Sequence, residues 1–454
     1  MNMGARAEIV GLNAGGERIC ACAARISTTE GTARELLEGA ADPEKDRRLI
    51  GKVLGSGHKS VIEHIVLTLA FSNVSVYVEQ FFIEFRLASF TVKSRRYVDF
   101  GHAGYYSPPE LGGQALRLYR EYMDALFEGY RALLDGGVPK EDARFLLPYS
   151  FCSNFYCTVN ARELIHMLRE IKYGRGRDIL ELQGIAEQLT DQLGALVPSV
   201  LAELNAPCRA EIPVPRGDAE PQSGEPCFVP GGESGAVELV QAPAHPEELL
   251  RLAQSIAHPG AQPVGPEALS GMPRPRELEL LNYTFRISDV TLSGITHFTR
   301  HRMQSLLIPP IEGLRDGRYI LPETIRANPE AERLYRSAVE RANAFLNAEG
   351  SRPELRKYRY YFALSGNLTD IAASVNAREL LHFMQLRACS RAQWEIREIA
   401  VRMLELLRAS CPTLFDRFGP ACFVLGRCPE GRLSCGRKDE VCARFGRQIV
   451  GPSD

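Results

Sequence analysis

Lysine is scarce in this chain, and long apolar runs and an excess of one charge are missing. Only eight of the 54 basic residues are lysine, so the other 46 are arginine. Arginine suits phosphates and carboxylates, because its planar fork binds them through two hydrogen bonds, although an arginine-rich codon usage explains the total equally well. The net charge of −2 argues against a protein that coats nucleic acid. No stretch reaches the roughly 18 uncharged apolar residues that a membrane helix needs, so we expect no membrane partner.

Cysteine is too sparse for a disulfide scaffold, with twelve in 454 residues. The first ten residues lack the apolar core of a secretory signal, so we expect reduced thiols in the cytoplasm. Cys422, Cys428, Cys435 and Cys442 are separated by five, six and six residues, unlike the close pairs of structural zinc sites. We therefore predict no metal. No phosphate-binding glycine loop and no nucleophile elbow is present either.

An internal repeat is the most informative feature of the sequence. Val159–His166 reads VNARELIH, and Val375–His382 repeats it as VNARELLH after 216 residues. The same shift, without a gap, places Glu63 on Glu279. A constant offset through loops as well as helices indicates a tandem duplication.

Two domains follow from this repeat. We predict a first domain at residues 1–206 and a second at 236–454, the latter ending in the cysteine-containing tail. Residues 207–235 hold six prolines and several glycines, a composition that resists helix and sheet alike, so they are predicted to be a linker.

Each copy contains patterns of both strand and helix. Leu281–Ser288 alternates apolar and polar residues, which predicts a half-buried strand, and Ile65–Ser72 is its first-copy equivalent. Asn160 and Asn376 are predicted N-caps of helices, each with a glutamate three residues later as a capping box needs. Further helices are predicted at Val76–Phe85, Leu292–Arg300 and Ala392–Ala409. The expected fold class is α+β, with two tandem domains that each combine a mixed sheet with long helices.

The Arg300-His301-Arg302 triplet is the first candidate binding motif. Two guanidinium groups and an imidazole at the end of a helix could clamp a phosphate through charge-assisted hydrogen bonds. The alternative is a solvated basic helix end, where cations interact favourably with the helix dipole.

The second copy's repeated octamer and the segment after it give two more candidates. Asn376, Arg378 and His382 lie near one helix start, where free backbone N–H groups attract anions. A plain cap with a surface arginine explains them equally. Arg387 and Arg391 lie four residues apart and share a helix face, which a surface ladder of charges would also produce.

Two weaker candidates lie in the first copy. His58 and Ser60 follow a glycine turn just before the predicted strand, and Ser94 and Arg96 lie in a short basic segment. A single histidine is more often structural than a ligand. Nothing in the sequence identifies a cysteine or serine nucleophile.

Taken together, these motifs resemble one family. The Arg300–Arg302 triplet, the two octamers and Leu386–Arg397 (LRACSRAQWEIR) look like flavin-dependent thymidylate synthase, the ThyX family. Gly57–Ser60 and Ser89–Tyr97 of the first copy add to the resemblance, which covers nearly the whole chain outside the linker.

The resemblance implies an enzyme that methylates dUMP to dTMP. It implies FAD as cofactor, with methylenetetrahydrofolate and NADPH as co-substrates, no protein nucleophile, and a homotetramer whose sites form between subunits. Implied flavin-contacting residues are His58, Ser60, Asn160, Arg162, His166, Arg300, His301, Arg302, Asn376, Arg378 and His382. Implied substrate-binding residues are Ser94, Arg96, Tyr97 and Arg387. Among these, Arg387 matches the arginine that polarises the uracil ring, where a guanidinium stabilises developing negative charge.

Each copy departs from the family pattern at different positions. In the first copy the triplet reads Glu84-Phe85-Arg86, and Ile171 stands where the second copy has Arg387. In the second copy Arg274 and Arg276 replace the histidine and serine of the first.

The family's downstream serine and Arg-Tyr pair are also missing from the second copy. Their positions are taken by Pro310, Glu312 and Gly313. A second nucleotide-binding arginine of the family falls on Asn154 and Asp370, so neither copy keeps it.

These losses are largely complementary. We therefore predict an FAD-dependent thymidylate synthase with composite sites, for which two chains, as a homodimer, form a pseudo-tetramer. The alternative is a non-catalytic flavin- or nucleotide-binding protein derived from that enzyme.

Overall fold

A computed structural model describes residues 4–205, 225–311 and 317–446 of the chain. The strands, in chain order, are β1 Arg6–Leu12, β2 Val66–Ser75, β3 Ala88–Val92, β4 Cys152–Asn160, β5 Cys227–Pro230, β6 Ala236–Gln241, β7 Asn282–Thr291, β8 Gln304–Leu307, β9 Arg318–Leu321 and β10 Leu368–Asn376. Within these ranges, no helix combines the length and apolarity that a membrane crossing requires.

Helices make up most of the remaining regular structure. The helices of the first half are α1 Gly16–Ile26, α2 Ala33–Glu38, α3 Pro43–Gly55, α4 Val76–Ile83, α5 Gly113–Asp135, α6 Lys140–Ala143, α7 Ala161–Lys172, α8 Leu180–Leu196 and α9 Leu201–Leu204. Those of the second half are α10 Pro246–Ala257, α11 Pro266–Gly271, α12 Leu292–Phe298, α13 Glu323–Arg326, α14 Pro329–Asn347, α15 Pro353–Arg356, α16 Arg359–Phe362, α17 Ala377–Arg387, α18 Trp394–Ser410, α19 Pro412–Phe415, α20 Ala421–Val424 and α21 Lys438–Phe445.

The duplication appears as two antiparallel sheets of the same topology. The first has the strand order β1-β2-β4-β3 and the second β6-β7-β10-β8, so each strand has a counterpart at the same place. The period-two prediction is confirmed, because Tyr283, Phe285 and Ile287 of β7 are buried on one face. The α+β prediction is therefore confirmed for both copies, but each four-stranded sheet is antiparallel throughout and not mixed as expected.

The repeat also preserves a backbone irregularity. The pairing register shifts in β2 and in β7, where Asn73 and Asp289 have φ angles of 55° and 58°. Asparagine and aspartate tolerate this left-handed conformation better than most residues. The two positions lie 216 residues apart, so both copies bend this strand at the same point.

One part of the predicted linker is a strand, contrary to the composition argument. Cys227–Pro230 forms β5, which pairs in parallel with β9, Arg318–Leu321. Proline is tolerated at Pro230 because it ends the strand, and the backbone N–H of Gly231 donates the next hydrogen bond to Leu321, N···O 3.0 Å. Residues 206–224 lie outside the described ranges.

The chain divides into two compact units that differ from the two copies. Unit 1 comprises Met1–Arg131, Leu147–Asp218 and Ala348–Ala363, and unit 2 comprises Ala132–Leu146, Ala219–Asn347 and Leu364–Asp454. Two displaced segments, residues 132–146 and 348–363, each belong to the unit formed mainly by the other copy. They are equivalent, because the 216-residue shift relates them to within one residue. Each copy thus contributes the same short segment to the other copy's unit.

Each displaced segment completes the surroundings of a buried helix start. In unit 1 the hydroxyl of Tyr361 donates to the buried carboxylate of Glu181 at 2.6 Å. In unit 2 the indole N–H of Trp394 donates to Asp142 at 2.7 Å, directly beside the buried Glu395. These hydrogen bonds hold residues 348–363 to the core of unit 1 and residues 132–146 to the core of unit 2.

Candidate active site

Three side chains of unit 2 form a chain of hydrogen bonds. Glu379 Oε1 lies 2.8 Å from Nδ1 of His301, and Arg387 Nε donates to Nε2 of the same ring at 3.0 Å. His301 follows α12, while Glu379 and Arg387 lie in the first and last turns of α17. The loop after α12 and the helix α17 therefore bring together two residues predicted from sequence, His301 and Arg387.

The contacts determine the protonation state of His301. Nε2 must present a lone pair to accept from Arg387, so the ring proton resides on Nδ1 and is donated to Glu379. Burial is the main factor that lowers the pKa of His301, and the Glu379 carboxylate opposes this while the Arg387 guanidinium adds to it. His301 is therefore neutral at neutral pH and holds the Arg387 guanidinium without repelling it.

The residues flanking this network are cationic and exposed. Arg300 and Arg302 lie on either side of the buried His301, and both side chains are exposed. The exposed ring of His382 lies with its centroid 5.8 Å from that of His301, at an interplanar angle of 61°. Polar and cationic groups of the triplet and of α17 thus surround one buried, neutral imidazole.

The octamer helices begin as the sequence predicted. Asn160 and Asn376 accept hydrogen bonds from the backbone N–H of Glu163 and Glu379, both at 2.9 Å. The Glu379 carboxylate contacts His301. The sequence predicts only a capping role for Glu379 and does not indicate this contact with His301.

A second pair of equivalent contacts fixes the arginine of each octamer. Arg162 pairs with Glu63 at 2.6 Å, and Arg378 makes the equivalent ion pair with Glu279. The two glutamates were aligned by the repeat, but no function was predicted for them. Both arginines lie in the first turn of their helix, and part of each side chain stays exposed.

The equivalent place in unit 1 is a cleft with different chemistry. Its volume is about 500 Å³, and its lining includes Phe85, Asn160, Arg162 and His166. Phe85 stands where the second copy has His301, and its ring packs edge-on against His166 at 5.3 Å between centroids. The three-residue hydrogen-bond chain of unit 2 therefore has no counterpart here.

Charges at this cleft are also rearranged. Glu84, the equivalent of Arg300, forms an ion pair with Arg175. His166 lies 3.5 Å from Glu163, whose second-copy equivalent contacts His301 instead. Glu84 adds negative charge, which disfavours a phosphate at this cleft.

The remaining first-copy candidates lie on exposed or half-buried surface. His58 and Ser60 are exposed at the start of a 3₁₀ turn. The hydroxyl of Ser94 accepts from the backbone N–H of Arg96 at 3.3 Å, and the Arg96 guanidinium lies 5.5 Å from the centre of the exposed Tyr97 ring. The structure brings Ser94, Arg96 and Tyr97 together in one turn.

Asn154 and Asp370, at the positions of the missing family arginine, bind the backbone of the neighbouring strands instead. The side-chain oxygen of Asn154 accepts from the backbone N–H of Asn73 at 3.1 Å, and Asp370 does the same for Asp289 at 3.3 Å. Asp370 also pairs with Arg286 at 2.9 Å. Both side chains thus support the strand irregularities. Of the second-copy departures, Glu312 and Gly313 lie outside the described residues.

Comparisons with known proteins agree with the repeat and with the motifs. The family model described as thymidylate synthase complementing protein matches residues 8–199 and 271–413. A flavin-dependent thymidylate synthase of Geobacter sulfurreducens is 34% identical over 175 residues, which span 37% of this chain and 74% of the relative. One from Nitratidesulfovibrio vulgaris is 33% identical over 193 residues, spanning 40% of this chain and 78% of the relative.

A solved structure is also similar in sequence. The UMP/dUMP methylase PolB from Streptomyces cacaoi, bound with 5-Br dUMP, is 26% identical and covers 44% of this chain and 94% of that chain. The TM-score of this match is 0.37. The two regions matched by the family model, together with the similarity to the curated relatives, show that this chain belongs to the flavin-dependent thymidylate synthase family.

Proposed function

We propose that the chain is an FAD-dependent thymidylate synthase that converts dUMP to dTMP with methylenetetrahydrofolate and NADPH. The observation that carries this proposal is the network of Glu379, His301 and Arg387, in which a buried neutral imidazole orients a guanidinium. Family membership supplies the reaction, and this network supplies a group suited to it.

Arg387 is the proposed catalytic residue. Methylation at carbon 5 of uracil requires negative charge to build up on the pyrimidine ring and its oxygens. A guanidinium held in place before the reaction stabilises that charge without reorganising. His301 accepts from Nε of Arg387, and one Nη group donates to the carbonyl of His297 at 3.4 Å, so both contacts hold the guanidinium in a fixed orientation.

The residues around His301 fit a flavin nucleotide. Its pyrophosphate would be held by Arg300 and Arg302 and by the start of α17, where Asn376 is the cap and Arg378 the nearest cation. Bound FAD would supply the hydride for the transferred one-carbon unit. His382 lies exposed on the same helix and would contact the cofactor from that side.

We further propose that the first copy provides the complementary residues. His58 and Ser60 would complete the flavin contacts, and Ser94, Arg96 and Tyr97 would bind the nucleotide. In support, each of these is kept only in the first copy, whereas the His301 network is kept only in the second. Asn160, Arg162 and His166 remain flavin-binding candidates of the altered cleft.

Growth of a thymidine-requiring strain expressing this chain is the most direct test. Restored growth, together with transfer of deuterium from labelled reductant into dTMP by yellow purified protein, would support the proposal. Yellow protein that transfers no deuterium would instead indicate a non-catalytic flavin-binding protein. Colourless protein that takes up no FAD would contradict both functions.

A further inference from the structure

Five cysteines of unit 2 lie close together near the end of the chain. Cys389 lies two residues after the end of α17, Cys422 lies in α20 and Cys442 in α21, and Cys428 and Cys435 lie in the segment between those two helices. Helix α20 packs against both α17 and α21. The thiol of Cys442 donates to the backbone carbonyl of Cys422, with S···O 3.7 Å.

Cys422 lies at the centre of this group. Its side chain is buried. Cys422 interacts electrostatically with the thiols of Cys442, Cys389, Cys428 and Cys435, which requires all four to lie near it. A hydrogen bond of 2.7 Å from Arg391 to the carbonyl of Leu433 also ties the segment after α17 to the loop that carries Cys435.

The tail that carries these thiols has little apolar core of its own. Among the described residues from 421 to 446, the buried apolar side chains are Cys422, Val441 and Phe445. Its helices α20 and α21 are four and eight residues long. Small substructures of this kind usually need a covalent or metal cross-link. All cysteines in the described ranges are free thiols, so no disulfide supplies one.

We propose that Cys389, Cys422, Cys428 and Cys435 bind a thiolate-coordinated metal centre, a single zinc ion or an iron–sulfur cluster, that fastens the tail to the end of α17. Four cysteine thiolates are the ligand set of both kinds of centre. Cys442 is left out because its thiol is hydrogen-bonded to the backbone. This site is separate from the proposed synthase reaction.

The surrounding sequence suits a thiolate centre. Arg427, Arg432 and Arg437 alternate with the cysteines, and positive charge favours the thiolate form. Gly426 and Gly436 have φ angles of 66° and 73°, a left-handed conformation that lets the loops turn beside Cys428 and Cys435.

Binding requires the sulfur atoms to close in on the metal. As placed in the described ranges, no group of three or more His, Cys, Asp or Glu side chains is set to hold a metal ion. Three of the proposed ligands, Cys389, Cys428 and Cys435, lie outside helices, so modest loop and side-chain movement would bring the thiolates together. Metal binding would then contribute directly to the stability of the tail.

The test is metal analysis of the full-length protein, purified without oxygen and dialysed against EDTA. We expect either about one zinc ion per chain, or iron with an equal amount of acid-labile sulfide. Iron and sulfide are measured chemically because bound flavin obscures the absorbance of a cluster. Cys428→Ser and Cys435→Ser should lose most of the metal. Cys442→Ser, and Cys227→Ser at an exposed thiol of the same unit, should retain it.

Three results would overturn the proposal. These are wild-type protein free of metal, metal retained in both Cys428→Ser and Cys435→Ser, or equal loss in Cys227→Ser. If the serine variants fail to fold, a mercurial reagent is titrated into the wild type. Metal released in step with thiol modification supports the site, and metal that stays bound contradicts it.

Discussion

His301 lies between a carboxylate and a guanidinium, and only its neutral form can accept from Arg387 while donating to Glu379. A charged imidazole would lose the Nε2 lone pair and place a second cation beside Arg387. The phenylalanine at position 85 removes both contacts in the first copy. Together with Ile171, which stands where the second copy has Arg387, this phenylalanine leaves the first copy unable to form the network.

Replacing Arg387 should affect the reaction much more than the cofactor. We expect Arg387→Ala to keep most of its bound FAD and to lower turnover by roughly 10²–10³-fold, as loss of one charge-stabilising donor does. Single-turnover assays that follow the absorbance of oxidised flavin would measure both the amount of bound FAD and the rate of the reaction. Lys172→Ala, at the end of the equivalent first-copy helix, is the control. Unchanged turnover in Arg387→Ala would remove its catalytic role.

Glu379 should act as a positioning residue. Glu379→Ala removes the acceptor for Nδ1–H of His301, and we expect turnover to fall by roughly 10–100-fold, the equivalent of one hydrogen bond to a charged group. Glu379→Gln keeps an acceptor oxygen and should restore most of the rate. The kcat against KM split is the readout, with the loss expected in kcat. Glu163→Ala in the first copy should change little, and equal losses in the alanine and glutamine variants would contradict the orientation mechanism.

Local features of the site could be predicted from sequence, and the longer-range contact could not. The Asn160 and Asn376 caps depend only on residues three positions away. The contact between Glu379 and His301 joins residues 78 positions apart. Nothing in a single sequence distinguishes a glutamate that closes a capping box from one that turns toward a distant loop.

At the scale of elements, strands and helices followed their local patterns. The predicted strand at Leu281–Ser288 and helix at Ala392–Ala409 are found as Asn282–Thr291 and Trp394–Ser410. Strand β5 was missed because its partner, β9, lies about ninety residues later in the chain, and its proline and glycine content suggested a linker. Non-local pairing can override local propensity in this way.

The two triplets should differ in how strongly they retain flavin. Arg300→Ala combined with Arg302→Ala should weaken FAD binding by roughly 3–6 kcal/mol, since each charged hydrogen bond contributes about 1.5–3 kcal/mol. Arg86→Ala should have a smaller effect, because Glu84 and Phe85 already alter that cleft. Flavin retention on a desalting column, followed by titration, measures both. Equal losses would contradict the division of labour between the copies.

The buried helix starts should make folding stability depend on pH. Burial raises the pKa of Glu395 to about 7, and that of Glu181 equally, from a usual value of 4.5. Between those values the folded protein binds the proton and the unfolded chain does not. The free energy of unfolding should therefore decrease as pH rises from about 4.5 to about 7, by roughly 3 kcal/mol for each group at most.

Glu395→Gln removes one of these titrations while keeping an oxygen for Thr291. Urea unfolding at pH 5.5 and 7.5 should show a smaller difference in this variant than in the wild type. Glu405→Gln, at an exposed position on the same helix, should behave as wild type. An unchanged difference in Glu395→Gln would show that Glu395 does not titrate in this range.

At the scale of the whole molecule, the reciprocal exchange of two segments was not predictable. Residues 132–146 and 348–363 are equivalent parts of the repeat, so sequence periodicity cannot decide which copy each completes. The two copies descend from one ancestor, so both carry the same segment at the same place in the repeat. Only the packing around residues such as Glu181 and Tyr361 distinguishes the alternatives.

We predict that two chains of this protein assemble into one particle. If one-domain relatives need four subunits to enclose their sites, two chains of this duplicated protein provide the same number of copies. Two-fold symmetry is also the commonest closed arrangement. We expect a particle of two chains with one tightly bound FAD per chain, measured by light scattering and flavin titration. An active monomer, or two equal flavin sites per chain, would contradict this model.

The displaced segments also affect how the protein is made. If the first copy ends at residue 206 as predicted, it is synthesised well before Ala348–Ala363, and unit 1 lacks that part of its core until those residues are made. At about 5–20 residues per second, this delay is on the order of ten seconds. During that interval the nascent first copy exposes apolar surface that its own sequence does not cover, which makes it a natural client for chaperones that act during translation.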